Sequence, residues 1–182
     1  MGKSKDTLVW IDMEMSGLNP DTDVVLEIAL ILTNGALEVI SEGPDLIIQQ
    51  DQELFATMDS WNQEHHTKSG LWASVIASKT SLKEAEDHIL AYLEEHLYAK
   101  TAPLCGNSIA QDRLFLRKYM PRVNEFLHYR MVDVSSIKEL VKRWYPKGTG
   151  APQKVNSHRA LDDIKESITE LKYYQENFFV KP

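Results

Sequence analysis

The stretch TLVWIDMEMSG, residues 7–17, predicts an apolar β-strand that begins near Thr7 and ends at a Ser-Gly pair. Side chains two apart on a strand lie on the same face, so Trp10, Asp12 and Glu14 are expected on one face of a sheet. Two adjacent carboxylates repel each other and are costly to desolvate. A cation between them would explain the arrangement, although two solvent-facing acids would fit this stretch alone equally well.

The composition excludes several classes of protein. The chain has 182 residues, of which 43% are hydrophobic and 26% charged, as in a globular protein with a sizeable core rather than a disordered chain. Cys105 is the single cysteine, so it forms no internal disulfide, and no Cys/His spacing suggests zinc. The longest apolar run, Val24 to Leu32, is interrupted by Glu27 and is too short for a membrane span. The length predicts one domain over residues 1–182. Since no leader pattern is recognisable either, we expect a location in the cytoplasm and no membrane partner.

Formal charge is unevenly distributed along the chain, whose net charge is −7. Residues 1–112 hold 6 Lys/Arg against 19 Asp/Glu, whereas residues 113–165 hold 12 against 5. An acidic half suited to cations and a basic half suited to an anion favour a small anionic substrate at a metal site. A protein that tracks long nucleic acid would instead carry an extended basic surface, so no binding of long duplexes is expected.

Strand patterns dominate the first fifty residues. Val24 to Thr33 predicts a second strand that is buried on much of both faces, and Asn34-Gly35 is a strong hairpin signal. Ala36 to Ser41 predicts a third strand, which Gly43-Pro44 should end, with residues 46–49 as a candidate extension of the sheet edge. The fold is therefore expected to open with an antiparallel meander.

Helices that alternate with two short strands are predicted in the rest of the chain. The first patterns are a short helix over 53–58, a polar connection over 61–70, an apolar segment over 71–77 and a helix from a capping box at Ser81 to about Tyr98. Next come a strand over 103–106, a helix capped by Asn107 or Ser108 and ended by Pro121, and a strand over 129–134. The last patterns are a helix from a capping box at Ser136 to Trp144, a mobile loop over 147–152 and a helix capped by Asn156 or Ser157. The predicted class is α/β: a sandwich with a mixed central sheet that opens with an antiparallel three-strand meander and is flanked by helices.

Further acids and a histidine are candidates to complete a site at the end of the first strand. Asp112 on a predicted helix, with His158 and Asp163 near the last helix, offers the oxygen ligands and the proton acceptor that two-metal hydrolysis of a phosphodiester uses. Because five helical residues turn through about 500°, His158 and Asp163 can converge only if His158 lies outside the helix. Spacing alone leaves open whether Asp162 or Asp163 is the ligand, and each of these residues could equally be a solvated or structural side chain.

The pattern Asp12-x-Glu14, Asp112 and HRALDD at 158–163 resembles the DEDDh family of 3′-to-5′ exonucleases, which have a ribonuclease-H-like fold. In that family the third motif is H-x-A-x-x-D, so the resemblance implies that His158 is the general base. It also implies that two divalent ions, Mg²⁺ or Mn²⁺, are held by four carboxylates: Asp12, Glu14, Asp112 and Asp163. Asp162 is then a neighbour of the ligand.

Over about residues 8–179 the likeness narrows to the oligoribonuclease branch of that family. The segments that carry it are WIDMEMSGL at 10–18, EHHTKSG at 64–70, CGNS at 105–108, HYR at 128–130 and SHRALDDI at 157–164. The resemblance implies a 3′-to-5′ exoribonuclease that hydrolyses short RNA oligonucleotides, down to dinucleotides, to 5′-mononucleotides. A general exonuclease acting on longer RNA or DNA ends, or a non-catalytic module that binds metal or nucleotide, are the alternatives.

Candidate contacts to the bases of such a substrate come from two apolar side chains. Leu18 and Trp61 could sandwich bases, since stacking on an aromatic ring tolerates any base. A tryptophan is more often a core anchor, but the polar surroundings of Trp61 favour the substrate contact. His66 is a further candidate substrate contact.

The far end of a dinucleotide could be capped at its 5′-phosphate. Ser108, Arg130 and Ser135 are the candidates, and Lys138 is a weaker one that a solvated helix lysine would explain as well. Such a cap would exclude longer chains and would need no extended basic groove. Members of the family are homodimers, and the resemblance implies that Tyr129 reaches the site of the partner subunit.

Overall fold

In the computed structural model the described residues are 3–4, 6–145, 150 and 158–179. Their strands are β1 (Thr7–Met15), β2 (Val25–Asn34), β3 (Val39–Ile47), β4 (Leu104–Gly106) and β5 (Met131–Asp133). A 3-10 helix (Gln52–Thr57) precedes the helices α1 (Ser60–Lys68), α2 (Leu71–Ala77), α3 (Leu82–His96), α4 (Ala110–Tyr119), α5 (Pro121–Phe126), α6 (Val134–Trp144) and α7 (Ala160–Phe178).

A mixed sheet of five strands, in the order β3-β2-β1-β4-β5, organises these elements. β1 pairs with β2, and β2 with β3, in antiparallel fashion, whereas β4 is parallel to β1 and β5 is parallel to β4. The predicted α/β class, with a mixed sheet that opens with an antiparallel three-strand meander, is therefore confirmed. That residues 1–182 form a single domain stays a prediction.

The central strand β1 separates the core into two parts. Val9 and Ile11 pack on one face in a cluster with residues of α3 and α4, while Trp10 packs on the other face among residues of α7. All three are fully buried, and burial of each such side chain contributes about 1.5–3 kcal/mol. The alternation of side chains then carries Asp12 and Glu14 to the end of the Trp10 face, where β1 leaves the core.

The hairpin and the edge strand differ in detail from the sequence prediction. The hairpin after β2 forms, but Leu37 adopts a left-handed conformation with φ of 65°, and β3 begins at Val39 rather than Ala36. Gly43-Pro44 does not end β3, which continues to Ile47. Proline is tolerated on an edge strand and at a bulge, and the pairing of β3 with β2 shifts register at this position.

One helix was not predicted, and another begins earlier than its sequence pattern indicates. The predicted connection after residue 60 is helix α1, because Asp59 caps it by accepting the Asn62 N–H at 2.8 Å. The cap of α6 is Asp133 rather than Ser136, since the Asp133 carboxylate accepts the Ser135 N–H at 3.1 Å. The predicted capping box at Ser136 is therefore wrong, and the cap of α6 lies three residues earlier.

Of the other predicted helix caps that lie among the described residues, the cap of α3 is confirmed and the cap of α4 is wrong. The capping box at Ser81 is confirmed at the start of α3. Helix α4 begins at Ala110 without a side-chain cap, so the predicted cap at Asn107 or Ser108 is wrong. The predicted loop over 147–152, apart from Gly150, and the predicted caps of α7 at 156 and 157 lie outside the described residues. Among the helices that the structure describes, none is long and apolar enough to cross a membrane.

Candidate active site

The C-terminal end of β1 presents Asp12 and Glu14 on one face, both partly exposed. In the antiparallel pairing with β2, Asp12 lies opposite Ala29 and Glu14 lies opposite Glu27. Directly opposed residues of an antiparallel pair share a face, so Glu27 adds a third carboxylate beside this end of the strand.

Asp112 joins the end of β1 through the backbone. Its Oδ1 accepts the Met13 N–H at 3.0 Å, and its side chain is buried. This N–H is available because β4 pairs with β1 only at Val9 and Trp10 and leaves the strand before Met13. The short length of β4 thus lets helix α4 place a carboxylate beside β1.

His158 and Asp163 converge on Glu14. Each of these three side chains offers a ligand atom, and the three atoms lie within 4.8 Å of one another. His158 precedes α7 and has a left-handed backbone with φ of 51°, which meets the requirement that it lie outside the helix. Asp163 is in the first turn of α7 and is partly buried, whereas its neighbour Asp162 is exposed. The geometry therefore favours Asp163 over Asp162 as a member of the site.

The electrostatics of this cluster are those of an acidic site that suits a cation. Burial, followed by the nearby charges of Asp163, Glu27 and Asp112, raises the pKa of Glu14 to about 8. Burial likewise raises the pKa of Asp112 to about 7. A bound cation would favour the ionised form of both groups, and carboxylate oxygens are the ligands that Mg²⁺ and Mn²⁺ prefer. The residues present therefore fit divalent ions.

His66 lies beneath Glu14 rather than on an open surface. Its side chain is buried, and its Nε2 donates to the Met15 carbonyl at 2.9 Å. Its Nδ1 lies 4.0 Å from Glu14 Oε2 and has no hydrogen-bond partner. Burial is the main cause that lowers the pKa of His66. In this position the His66 Nδ1 is suited to accept a hydrogen bond from a group at Glu14. A direct contact of the buried His66 ring to a nucleobase is less favourable.

Two exposed apolar side chains lie near the acidic cluster. Trp61 on α1 is 55% exposed, so the core-anchor alternative is wrong for this residue. Its ring stacks on His65 at 3.8 Å and meets the His158 ring edge-on at 5.7 Å between centroids. Leu18, in the loop after β1, is 74% exposed, and its carbonyl accepts from the Gln111 side chain of α4.

Ser108 and Ser135 form a hydroxyl cradle with Asn107. The Ser108 and Ser135 hydroxyls lie 3.1 Å apart, and Ser135 donates to Asn107 Oδ1 at 3.1 Å. The Ser108 N–H is already used, because it donates to Asp133 Oδ1 at 2.9 Å. An anion at this cradle would therefore be met by the Ser108 hydroxyl and not by the Ser108 amide, and Ser135 would first have to turn its hydroxyl away from Asn107.

The other predicted substrate residues are more scattered. Tyr129 and Arg130 precede β5, which is shorter than predicted and begins at Met131. Tyr129 is 72% exposed, and the Arg130 guanidinium lies 5.5 Å from the centre of its ring. Lys138 pairs with the buried Glu170 of α7 at 3.1 Å, so its charge is directed to the protein interior.

Sequence reasoning missed one pair of residues beside the site. Glu27 is fully buried, and it accepts from the Arg159 guanidinium at 3.0 and 2.6 Å and from the Ala160 N–H at 3.1 Å. The sequence did contain a signal for it, because Glu27 is the acid that interrupts the apolar run of β2. A buried carboxylate of this kind requires a partner.

The chain is similar to known nucleases over almost its whole length. The family model RNase_T, described as an exonuclease, matches residues 9–171. The oligoribonuclease of Shewanella loihica is 48% identical over 179 residues, which cover 98% of this chain and 99% of the relative. The oligoribonuclease of Halorhodospira halophila is 46% identical over 182 residues and is covered, like this chain, in full.

Solved structures of exonuclease I share the fold at low sequence identity. E. coli exonuclease I in a complex with single-stranded DNA superimposes with a TM-score of 0.74 at 14% identity over 96% of this chain. Exonuclease I from Methylocaldum szegediense gives a TM-score of 0.66 at 16% identity over 94% of this chain. The chain spans about two fifths of those proteins, namely 41% of each.

The comparisons confirm two sequence predictions. The shared fold with exonuclease I confirms the ribonuclease-H-like sandwich. The family model and the full-length similarity to the curated relatives confirm a nuclease of the hydrolase class. The chain therefore belongs to the oligoribonuclease branch of the DEDDh exonuclease family.

Proposed function

We propose that the protein is a metal-dependent 3′-to-5′ exoribonuclease that hydrolyses short RNA, down to dinucleotides, to 5′-mononucleotides. The observation that carries this proposal is the convergence of Glu14, His158 and Asp163 within 4.8 Å at the end of β1. Asp12 on the same strand face and Asp112 on the adjacent backbone N–H complete the set. The name shared by the curated relatives supports the choice of short RNA as substrate.

Four carboxylates would hold the metal: Asp12, Glu14, Asp112 and Asp163. Two Mg²⁺ or Mn²⁺ ions, when bound, would activate a water and stabilise the charge that develops on the phosphodiester. Asp12 lies next to both Glu14 and the Asp112 contact at Met13, so it would share in holding the metal. The protein contributes the fixed positions of these oxygens, because β1, α4 and α7 are all anchored in the core.

His158 is the general base of this proposal. Its pKa is lowered by burial and by the nearby His65, so the ring is neutral at pH 7 and can take the proton of the attacking water. The edge-on contact with Trp61 restricts the orientation of the ring. The His158 ring lies beside Glu14 and Asp163. A water bound between these acids and the substrate would therefore be close to this ring.

Leu18 and Trp61 are proposed to hold the bases. Both side chains are exposed on loops or helices that border the acidic cluster. Stacking of a base on an aromatic ring contributes about 1–3 kcal/mol and is insensitive to sequence. His66, which we expected to contact substrate, is better suited to orient Glu14 from below, since it is buried and faces that carboxylate.

The hydroxyl cradle and Arg130 are proposed to bind the 5′-phosphate. Ser108 offers its hydroxyl, Ser135 would have to turn its hydroxyl away from Asn107, and the exposed Arg130 offers a fork of N–H donors that matches a phosphate. Lys138 has less support, because it would have to leave Glu170 to reach a phosphate. A cap of this kind would leave no path for a longer chain.

A homodimer and a cytoplasmic location are further parts of the proposal. Tyr129 is strongly exposed and lies beside Arg130. A side chain that reaches the site of a second subunit would be exposed in this way. Sedimentation at several concentrations, with the parent and Tyr129→Ala, tests whether a dimer forms and whether the dimer survives the loss of this ring. The cytoplasmic location stays a prediction.

Turnover of a 5′-phosphorylated diribonucleotide tests the proposed function. We expect release of 5′-mononucleotides in Mg²⁺, loss of release when a chelator is added, and recovery when Mg²⁺ is restored. The matched substrate is a 20-mer of the same 5′ chemistry, which we expect to be degraded more slowly. Faster degradation of the 20-mer would point to a general exonuclease, and single-stranded DNA is the further substrate to compare in that event.

A further inference from the structure

We propose that Glu27 and Arg159 form a positioning pair that fixes His158 in its place beside Glu14 and Asp163. The inference rests on the proposed function, in which His158 is the general base. Neither Glu27 nor Arg159 is proposed to touch the substrate. Their effect on the reaction is expected to pass through the histidine that precedes Arg159 in the chain.

The contacts of Glu27 secure the start of α7 to the sheet. One carboxylate oxygen accepts from Arg159 Nε at 3.0 Å and from Nη2 at 2.6 Å, and the other accepts from the Ala160 N–H at 3.1 Å. Ala160 is the first residue of α7, so the carboxylate also meets the positive end of the helix dipole. Three donors on one buried carboxylate define its geometry closely.

His158 needs such a fixed neighbour because its own backbone is unfavourable. Its φ of 51° lies in the left-handed region, which a residue with a side chain adopts at a cost. Unfavourable conformations of this kind persist where the surrounding structure holds them. Arg159 follows directly, and its carbonyl accepts the Asp163 N–H at 3.0 Å. The Glu27–Arg159 contact therefore adjoins both functional residues of the last motif.

The charge of Glu27 is unfavourable for its acidic neighbour. Glu27 lies opposite Glu14 in the sheet and is one of the charges that raise the pKa of Glu14. A glutamine could still accept the Ala160 N–H, but its single oxygen could not satisfy the Arg159 fork at the same time. The chain thus keeps a repulsive charge next to the acidic cluster, where the two carboxylate oxygens together satisfy both Arg159 donors and the Ala160 N–H.

A remote contact of the same design offers a matched control. Glu86 on α3 is buried, and its Oε1 accepts the Arg122 N–H at 2.8 Å near the start of α5. Its other oxygen lies 4.0 Å from the Arg122 guanidinium. Glu86→Gln therefore removes a buried glutamate that holds a helix start and an arginine, but at a distance from the acidic cluster.

A double-mutant cycle on the 5′-phosphorylated dinucleotide tests the inference. General-base catalysis contributes about 10²–10⁴-fold to a rate, so we expect Glu27→Gln to lower kcat by about tenfold or more, with KM changed by less than about twofold. In the His158→Ala background, Glu27→Gln should have no further effect on kcat. Glu86→Gln should leave kcat unchanged in both backgrounds.

Magnetic resonance of the imidazole rings in the metal-free protein gives a readout that does not depend on activity. The chain has 6 histidines, and the His158 Cε1–Hε1 signal is assigned by its loss in His158→Ala. We expect Glu27→Gln to shift or broaden this signal, whereas Glu86→Gln leaves it in place. If the parent fails to hydrolyse the dinucleotide, the proposed function fails, and this signal still tests the positioning.

The opposing outcomes are distinct. An unchanged kcat and His158 signal in Glu27→Gln would overturn the inference. An equal loss of kcat with and without His158 would also overturn it, because Glu27 would then act through charge or folding. If thermal melting shows that Glu27→Gln does not fold, Arg159→Lys replaces it. Arg159→Lys keeps the charge but loses the fork, and we expect a smaller loss of kcat with the same dependence on His158.

Discussion

The acidic end of β1 and the hydroxyl cradle are stabilised in opposite ways. In the cradle, Asn107 donates to Ser167 Oγ at 2.7 Å and accepts from Ser135 at 3.1 Å, so its polar groups are satisfied within the fold. At the end of β1, burial and neighbouring carboxylates raise the pKa of Glu14 to about 8. Asn107 is satisfied within the fold, whereas the acidic end would gain stability from a cation. Substitutions in the first region should change substrate choice, and those in the second should change the chemistry.

Removing a carboxylate from the acidic end should have the largest effect. Several kcal/mol of transition-state stabilisation by bound metal correspond to about 10³-fold in rate, so we expect Asp163→Asn to lower kcat on the dinucleotide by at least that factor. Asp162→Asn is the matched control, since Asp162 is the exposed neighbour on the same helix turn. A larger loss in Asp162→Asn than in Asp163→Asn would show that the wrong aspartate has been assigned.

Removing the proposed base should have the next largest effect. We expect His158→Ala to lower kcat by about 10²-fold or more, with little loss of substrate binding, because the carboxylates and Trp61 stay in place. Steady-state kinetics separate kcat from KM. An unchanged kcat would remove His158 from the mechanism and leave the rest of the acidic end intact.

Weakening the phosphate cap should change affinity and substrate choice more than chemistry. A hydrogen bond to a charged group is worth about 1.5–3 kcal/mol, so Arg130→Gln should raise KM for a 5′-phosphorylated dinucleotide by about tenfold. The same dinucleotide without its 5′-phosphate should be unaffected by the substitution. Arg143→Gln is the control, because Arg143 is an exposed arginine paired with Glu139 on α6. Equal effects of Arg130→Gln on both dinucleotides would show that Arg130 does not bind the 5′-phosphate.

The metal-free protein should lose stability as the pH rises. The folded-state pKa of Glu14 is raised from 4.5 to about 8, so the folded protein binds more protons than the unfolded chain between these values. Glu14 alone should therefore lower the free energy of unfolding through this window by up to about 1.4 kcal/mol per pH unit. Denaturant unfolding at several pH values measures the slope. Glu14→Gln should make the slope of the free energy of unfolding against pH shallower. An equal slope in that variant would show that other groups cause the pH dependence.

Local sequence patterns were sufficient to predict the centre of the fold. The period of two along β1 predicts that Asp12 and Glu14 share a face, because this property depends on neighbouring residues alone. Gly43-Pro44 led to a wrong strand end, since tolerance of proline depends on β3 being at the sheet edge. The wrong cap of α6 had a local cause, because Asp133, which was predicted to lie in a strand, is also a residue type that caps helices.

The parts of the candidate site that sequence could not predict depend on contacts between distant segments. Asp112 reaches the Met13 N–H only because β4 is too short to pair there. Glu27 was visible as an acid in an apolar run, but its partner Arg159 follows 132 residues later. The burial of His66 beneath Glu14 likewise depends on how α1 packs on the end of β1. Patterns of period two or 3.6 carry no information on such pairs.

Hydrolysis of a 5′-phosphorylated diribonucleotide by the parent and by Asp12→Ala, in Mg²⁺, is the most direct test of a metal-dependent exoribonuclease at the end of β1. Folding of both proteins is verified by thermal melting, and mononucleotide release is followed over time. We expect rapid release by the parent and a loss of at least about 10³-fold in Asp12→Ala. Equal rates for the two proteins would contradict hydrolysis through metal held by these carboxylates.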